Sequence, residues 1–222
     1  MNYDARSIAD MEPRKRARFI NSLSGFKSAN LIGTCDKNDN TNLSIVSSVF
    51  HLGAEPPLMG FIIRPNRVER HTLENILATE CYTINAVALE FLTSAHQTSA
   101  RYDRSESEFD KAHLSPYYVD GFTAPFVLES PLKLAMKLVE HQTLAVNQTE
   151  LIIGEIHNVI VPERAVMPDG YIDIETLDIV SVSGLDSYHV TQRVGRLSYA
   201  KPDKKIHPLT KEGDATSWSA FE

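Results

Sequence analysis

The chain has 222 residues, enough for one domain with a sizeable core. Hydrophobic residues make up 42% and charged residues 23%, the balance of an ordinary globular protein. The formal net charge is -7, with 29 acidic against 22 basic residues, which argues against a general nucleic-acid-binding face. The opening residues "MNYDARSIADMEPRKRARFI" lack the apolar stretch of a secretion signal, and no apolar run is long enough to span a bilayer. Cytoplasmic residence is the expectation, with Cys35 and Cys81 read as buried, reduced thiols.

In chain order, "PRKRARFINS" (13–22) predicts a short helix opened by Pro13. "SANLIGTCDK" predicts a strand and "NDN" a turn. "LSIVSSVFHL" and "PLMGFIIRP" predict two more β runs, split by a loop at "GAEPP". A helix is expected over 72–79, with Thr72 as its N-cap and Leu73, Ile76 and Leu77 as its apolar stripe. "CYTINAV" predicts a strand, and "ALEFLTSAHQTSARY" has helical spacing. Residues 101–120 read as a loop with a short helix. β runs return in "PFVLESPLKLAMKLVEHQTL" and "ELIIGEIHNVIVP", where Gly154 suggests a bulge or a close backbone approach. A helix is expected around "DIETLDIVS", followed by a polar tail from Lys201. Strands do not alternate with long helices, so the pattern favours a mainly β fold, a small antiparallel β-barrel with peripheral helices, over a doubly wound sheet. One domain over 1–222 is expected, with an N-terminal helix and a C-terminal extension.

The chain lacks dinucleotide, Walker, H-E-x-x-H and G-x-S-x-G motifs, and its eight histidines show no helical metal-ligand spacing. No metal site and no catalytic side chain is therefore assigned. Two features carry chemistry. Arg64, Arg67, Arg70 and His71 crowd the approach to the helix at 72–79, where the helix dipole already favours an anion. A phosphate held by these side chains and the helix amides would resolve the charge. A solvated loop paired with Glu69 and Glu74 would also resolve it. The second feature is "NLSIVSSVF" (42–50), three serines and an asparagine in an otherwise apolar run. Ser47 and Ser48 are adjacent and face opposite sides of a strand. They read either as a polar edge for a ligand or as hydroxyls bonded to neighbouring backbone. Together the two features suggest a site for a flat polar ring with a phosphate tail.

The order "N-L-S-I-V-S-S-V-F…E-P-P-L-M-G-F-I-I-R-P…R-H-T-L-E-N-I…Y-T-I-N", continued by "ELIIGEIHNV", resembles the flavin reductase-like family of FMN-binding split-barrel proteins over roughly residues 24–160. The resemblance implies a six-stranded antiparallel split barrel of Greek-key type, a homodimer, and FMN at or near the dimer interface. It implies FMN-binding roles for Asn42, Ser44, Ile45, Val46, Ser47, Ser48 and Val49 along the ring. Arg64, Arg70, His71 and Thr72 would hold the phosphate, with Arg67 and Asn75 as helpers. "RLSYAKP" (196–202) is similar to a C-terminal segment that some members bring back towards the flavin. Members that use NAD(P)H often carry Gly-Asp-His before the "IGEV" strand, and here those positions are Asn147, Gln148 and Thr149. His141 is near them in sequence. An FMN-dependent oxidoreductase is the expectation, with NAD(P)H, another small molecule or a protein as electron donor or acceptor. The alternative is a non-catalytic barrel that binds a flavin or another phosphorylated ligand.

Overall fold

The computed structural model describes residues 1–65 and 69–221. The N-terminal arm holds α1 (Ala5–Ala9) and α2 (Pro13–Ser22), with Pro13 in the first turn of α2 as expected. Strands β1 (Lys27–Ser28), β2 (Asn30–Cys35), β3 (Thr41–Val46), β4 (Phe50–Ala54) and β5 (Pro57–Ile63) follow, then α3 (His71–Thr79) and β6 (Cys81–Ala86). Next come α4 (Leu92–Gln97), α5 (Glu108–Lys111), β7 (Pro116–Val119), β8 (Phe122–Val127), β9 (Lys133–Thr143) and β10 (Glu150–Ile160). The last strands are β11 (Val180–Ser183), β12 (Ser187–Val190), β13 (Arg196–Leu197) and β14 (Pro208–Leu209).

The main sheet runs β3-β2-β6-β9-β10-β5-β4, antiparallel throughout. Its two edges, β3 and β4, are consecutive in the chain and joined by Ser47–Val49 alone. A link that short reaches about 14 Å. In a flat sheet, edges six spacings apart would be about 29 Å from each other. The sheet must therefore curl until its edges meet, which makes it a barrel. The Ser48 hydroxyl ties the seam, accepting from the Ile62 N–H at 3.2 Å and donating to the Ile62 carbonyl at 3.0 Å. The run 43–52, expected as one strand, breaks at this seam into β3 and β4.

Ile32, Phe61, Tyr82, Met136 and Ile152 fill the barrel, and Leu73 and Ile76 of α3 close it from one end. A large side chain buried this way contributes about 1.5–3 kcal/mol. Outside the barrel, β8 lies over β2 and β6. The Thr83 hydroxyl donates to the Pro125 carbonyl at 2.7 Å, and Asn85 accepts from the Val127 N–H at 3.0 Å. The fit is close at Gly33, where a Cβ would stand 2.2 Å from the Pro125 carbonyl oxygen. Gly154 lies at a register shift between β10 and β9, so the expected bulge is present. A second apolar cluster, with Leu31, Leu43, Phe91, Phe109 and Val127, packs under α4 and α5.

Two other expectations fail here, among the described residues. The stretch 173–179 is a set of turns and not a helix. Asp178 takes a left-handed φ of 51°, which stops helix propagation, and the chain enters β11. The Asp173 carboxylate, which a helix would have left outside, is buried there. It accepts from Lys211 Nζ and the Thr176 hydroxyl, each at 2.6 Å, and from Arg193 Nη1 at 2.9 Å. Cys81 is half-buried, whereas Cys35 is buried as expected; both are free thiols.

Asp173 thus anchors the C-terminal extension to the barrel's outer layer. Burial pushes its carboxyl up, but the bonds from Lys211, Thr176 and Arg193 outweigh burial and hold it well below the usual range. A depressed folded-state pKa means the contribution is complete above the unfolded value of about 4 and is lost as pH falls below it. Removing one partner of such a buried cluster costs about 3–5 kcal/mol. Asp173→Asn is accordingly expected to lower the urea midpoint at pH 7. It should also flatten the fall in stability that the unsubstituted chain shows between about pH 4 and pH 2. Parallel acid sensitivity in the two proteins would remove Asp173 as the cause.

Candidate functional site

The helix α3 begins without a side-chain cap. Arg70 is the N-cap residue, and Thr72, expected there, lies inside the first turn with its side chain buried. The Thr72 hydroxyl faces β3, bonded to Ser44 Oγ at 2.9 Å and accepting from Asn42 Nδ2 at 3.0 Å. Asn42 and Asn75 both donate to the Thr34 hydroxyl, at 3.3 and 3.1 Å. Thr34, Asn42, Ser44, Thr72 and Asn75 therefore form one polar network that docks α3 on β2 and β3. Thr34 is a member that the sequence reading missed. Its only sequence signal is that it alternates with Ile32 onto the inner face of β2.

With Thr72 turned inward, the start of α3 is left to cations. Arg70 Nε and His71 Nε2 are buried and have no hydrogen-bond partner among the described residues. Glu69 comes no nearer to His71 than 3.7 Å, beyond hydrogen-bond reach. Glu74 receives the Arg70 N–H at 3.3 Å and is otherwise engaged by Arg104. Burial, and then the guanidiniums of Arg64 and Arg101, push the Arg70 pKa down. Arg101 is a further residue the sequence reading missed, because it enters from the distant loop after α4. Arg67 lies outside the described residues. The result, among the described residues, is a basic corner in which Glu69 is too far to pair, Glu74 is held by Arg104, and the buried Glu108, bonded to the Leu43 N–H, reaches His71 only through its charge. An unpaired buried donor costs about 1–3 kcal/mol, more for a charged group, so the corner fits an anion.

The polar strand end adjoins this corner. Ser48 bonds Ile62, and Arg64 follows two residues later, a step of about 7 Å along an extended chain. Ser47 is half-buried and its hydroxyl has no partner among the described residues. The hydroxyl proton of Ser48 is committed to the seam, which leaves its main chain for a ligand. Ile45 packs towards the outer cluster, while Val46 and Val49 pack towards the barrel core. The structure thus brings together Ser47–Val49, Arg64, Arg70 and His71, and it assigns Asn42, Ser44, Thr72 and Asn75 to holding α3 in place.

The hairpin at Asn147, Gln148 and Thr149 carries a left-handed Gln148 with φ of 62°. His141 Nε2 lies 2.8 Å from Glu150 Oε2, and Glu150 faces Ile63 of β5 across the sheet. This pair therefore stands at the same end of the barrel as Arg64. Arg196 contacts Asp169 at 2.6 Å and lies over the Tyr171 ring at 4.3 Å, which holds that part of 196–202 against the C-terminal layer of its own chain.

A closed antiparallel sheet broken at one seam, with a basic corner beside that seam, defines a split-barrel protein. Residues 23–175 match the model of the flavin reductase like domain. The chain belongs to that family. It is 58% identical to a protein provisionally assigned as a flavin reductase with a split barrel domain, from Shewanella frigidimarina NCIMB 400. That match covers 90% of this chain and 100% of the other, with a TM-score of 0.87. The fold is shared with nitrilotriacetate monooxygenase component B from Bacillus cereus (18% identity, 87% and 96% covered, TM-score 0.76). It is also shared with flavoredoxin of Desulfovibrio vulgaris (Miyazaki F) (23% identity, 81% and 92% covered, TM-score 0.66). No curated protein sequence matches the chain. Among the described residues, no helix is long and apolar enough to cross a membrane.

Proposed function

We propose that the chain is an FMN-binding oxidoreductase of the flavin reductase type, working in the cytoplasm. The observation that carries this is a pair of buried nitrogens, Arg70 Nε and His71 Nε2, that have no partner among the described residues and stand at an uncapped helix start. A phosphate satisfies both and neutralises Arg64 and Arg101 as well. The main chain of Ser47–Val49, one strand step away, meets the edge of a planar ring. Membership of the flavin reductase-like family makes FMN the ligand of choice.

When bound, FMN supplies hydride acceptance at its ring and onward electron transfer. The side chains bind and orient: the basic corner anchors the phosphate, and the α3 network keeps the corner rigid against β2 and β3. Ser47 offers a hydroxyl to the ring edge. NAD(P)H is the candidate donor. One observation favours the second reading, a barrel that binds flavin without reducing it by nicotinamide: Asn147-Gln148-Thr149 stands where Gly-Asp-His is expected.

Mixing the FMN-loaded protein with NADH and with NADPH in the absence of oxygen separates the two. Bleaching of the flavin band with either nucleotide is the expected result. FMN bound without bleaching would leave the second reading, and no FMN binding at all would remove both.

A homodimer is part of the proposal. Phe50, Leu52 and Ile62 of the β4–β5 hairpin are exposed beside the seam. Such an apolar patch is a surface for a second copy. Sedimentation should read twice the chain mass.

A further inference from the structure

The chain has two cysteines, at the adjoining ends of the neighbouring strands β2 and β6. The register between β2 and β6 runs Leu31↔Asn85, Ile32↔Ile84 and Gly33↔Thr83. The pairing ends at Gly33↔Thr83, and two residues beyond it stand Cys35, the last residue of β2, and Cys81, the first of β6. The two thiols share the sheet face that carries Gly33 and Thr83, because side chains alternate along a strand. Separate contacts confirm the face. Cys35 Sγ donates to the Thr123 carbonyl of β8 at 3.4 Å, and Cys81 packs in the cluster of Phe122, Ala124 and Phe126 beneath that strand. Paired residues such as Gly33 and Thr83 have Cα atoms about 4.5–5.5 Å apart, and the two thiols follow two residues further along the same two strands. Disulfides span about 4.4–6.8 Å.

The geometry points to Cys35 and Cys81 as a site of oxidative modification, a cross-strand dithiol that a hydroperoxide closes to a disulfide within one chain. The inference stands apart from the flavin reading. The two thiols differ in access: Cys35 is buried and Cys81 half-buried, at the turn that leaves α3. Burial, and then Asp39 and Asp36, push the Cys35 thiol up, so the first attack falls to Cys81. The Cys81 thiolate attacks the peroxide O–O bond and becomes a sulfenic acid, releasing water or an alcohol. Cys35 then displaces hydroxide from that sulfur, which leaves as water with the thiol proton. Two thiols lose two electrons in total, and one peroxide bond takes them up. A dithiol reductant reverses the reaction. The bond would tie the end of β2 to the α3–β6 turn, in series with the Thr34–Asn75 contact that already holds α3 on β2.

The test uses the full chain, treated natively with excess hydrogen peroxide, then unfolded and exposed to a maleimide. The expected product is a monomer about 2 Da lighter that takes up no maleimide until dithiothreitol is added. Peptide mapping should join the Cys35 and Cys81 peptides. In Cys35→Ser, dimedone should trap a sulfenic acid on Cys81, since its partner is gone. Two maleimides taken up by the peroxide-treated chain would overturn the proposal, as would disulfides found only between chains. Measurement on the unsubstituted protein decides the matter even if Cys35→Ser fails to fold.

Discussion

Arg70→Ala combined with His71→Ala is expected to weaken FMN binding by more than tenfold, at least about 1.4 kcal/mol, without loss of fold stability. Each side chain offers a buried nitrogen with no partner among the described residues. A hydrogen bond to a charged group contributes about 1.5–3 kcal/mol, so losing two of them exceeds the tenfold mark. Stability should hold because the protein itself makes little use of either group. Removing Arg70 even relieves its repulsion with Arg64 and Arg101. Riboflavin is the control ligand: it carries the same ring without phosphate. The unsubstituted protein should prefer FMN strongly, and the variant should bind the two almost alike. Salt should weaken FMN binding in the unsubstituted protein, since Arg64 and Arg101 are exposed and screened. Thr72→Ala should show the reverse profile, with lower stability from a broken α3 network and a smaller change in affinity. Calorimetric titration that finds equal FMN affinity in the double variant would sink the phosphate assignment.

What could be read from the sequence divides along physical lines. Turn chemistry and two-residue alternation are local, so the strands over 30–35, 57–63 and 81–86 and the helix near 72 were visible before the fold was known. The basic corner was visible for the same reason, since Arg64, Arg70 and His71 are close in sequence. The break at Ser47–Val49 was not, because it exists only where two sheet edges meet. The inward turn of Thr72 was hidden too. A threonine before an apolar stripe suits a cap, and only the presence of Asn42 and Ser44 on a strand 30 residues away draws it into the interior. Arg101 and Thr34 reach their partners by tertiary packing and leave no pattern in a window. At 173–179 a helical spacing yielded to a buried carboxylate whose cations, Arg193 and Lys211, come from the far end of the chain.

Gly154→Ala is expected to cost about 3 kcal/mol, at the upper end for overpacking, and Tyr82→Phe to return part of it. The Gly154 bulge puts its Cα against the Tyr82 ring in the barrel core. A Cβ there would stand 2.2 Å from Tyr82 Oη, 2.9 Å from its Cζ and 3.0 Å from the Lys137 carbonyl oxygen. The ring cannot swing away freely, since Tyr82 is fully buried and packs on Phe61 with ring centroids 5.6 Å apart. The Tyr82 hydroxyl is itself a cost. It is buried without a hydrogen-bond partner among the described residues, and burial pushes its pKa up. Removing it leaves no donor stranded, so Tyr82→Phe alone should be neutral or stabilising by about 1 kcal/mol. It also takes away the nearest clash, although the Cζ and carbonyl contacts remain, so rescue should be partial. Urea unfolding of the four proteins in a cycle measures the coupling. A coupling above about 1 kcal/mol would tie the glycine to that hydroxyl. Strict additivity would mean that the backbone at 154, and not the tyrosine, requires glycine.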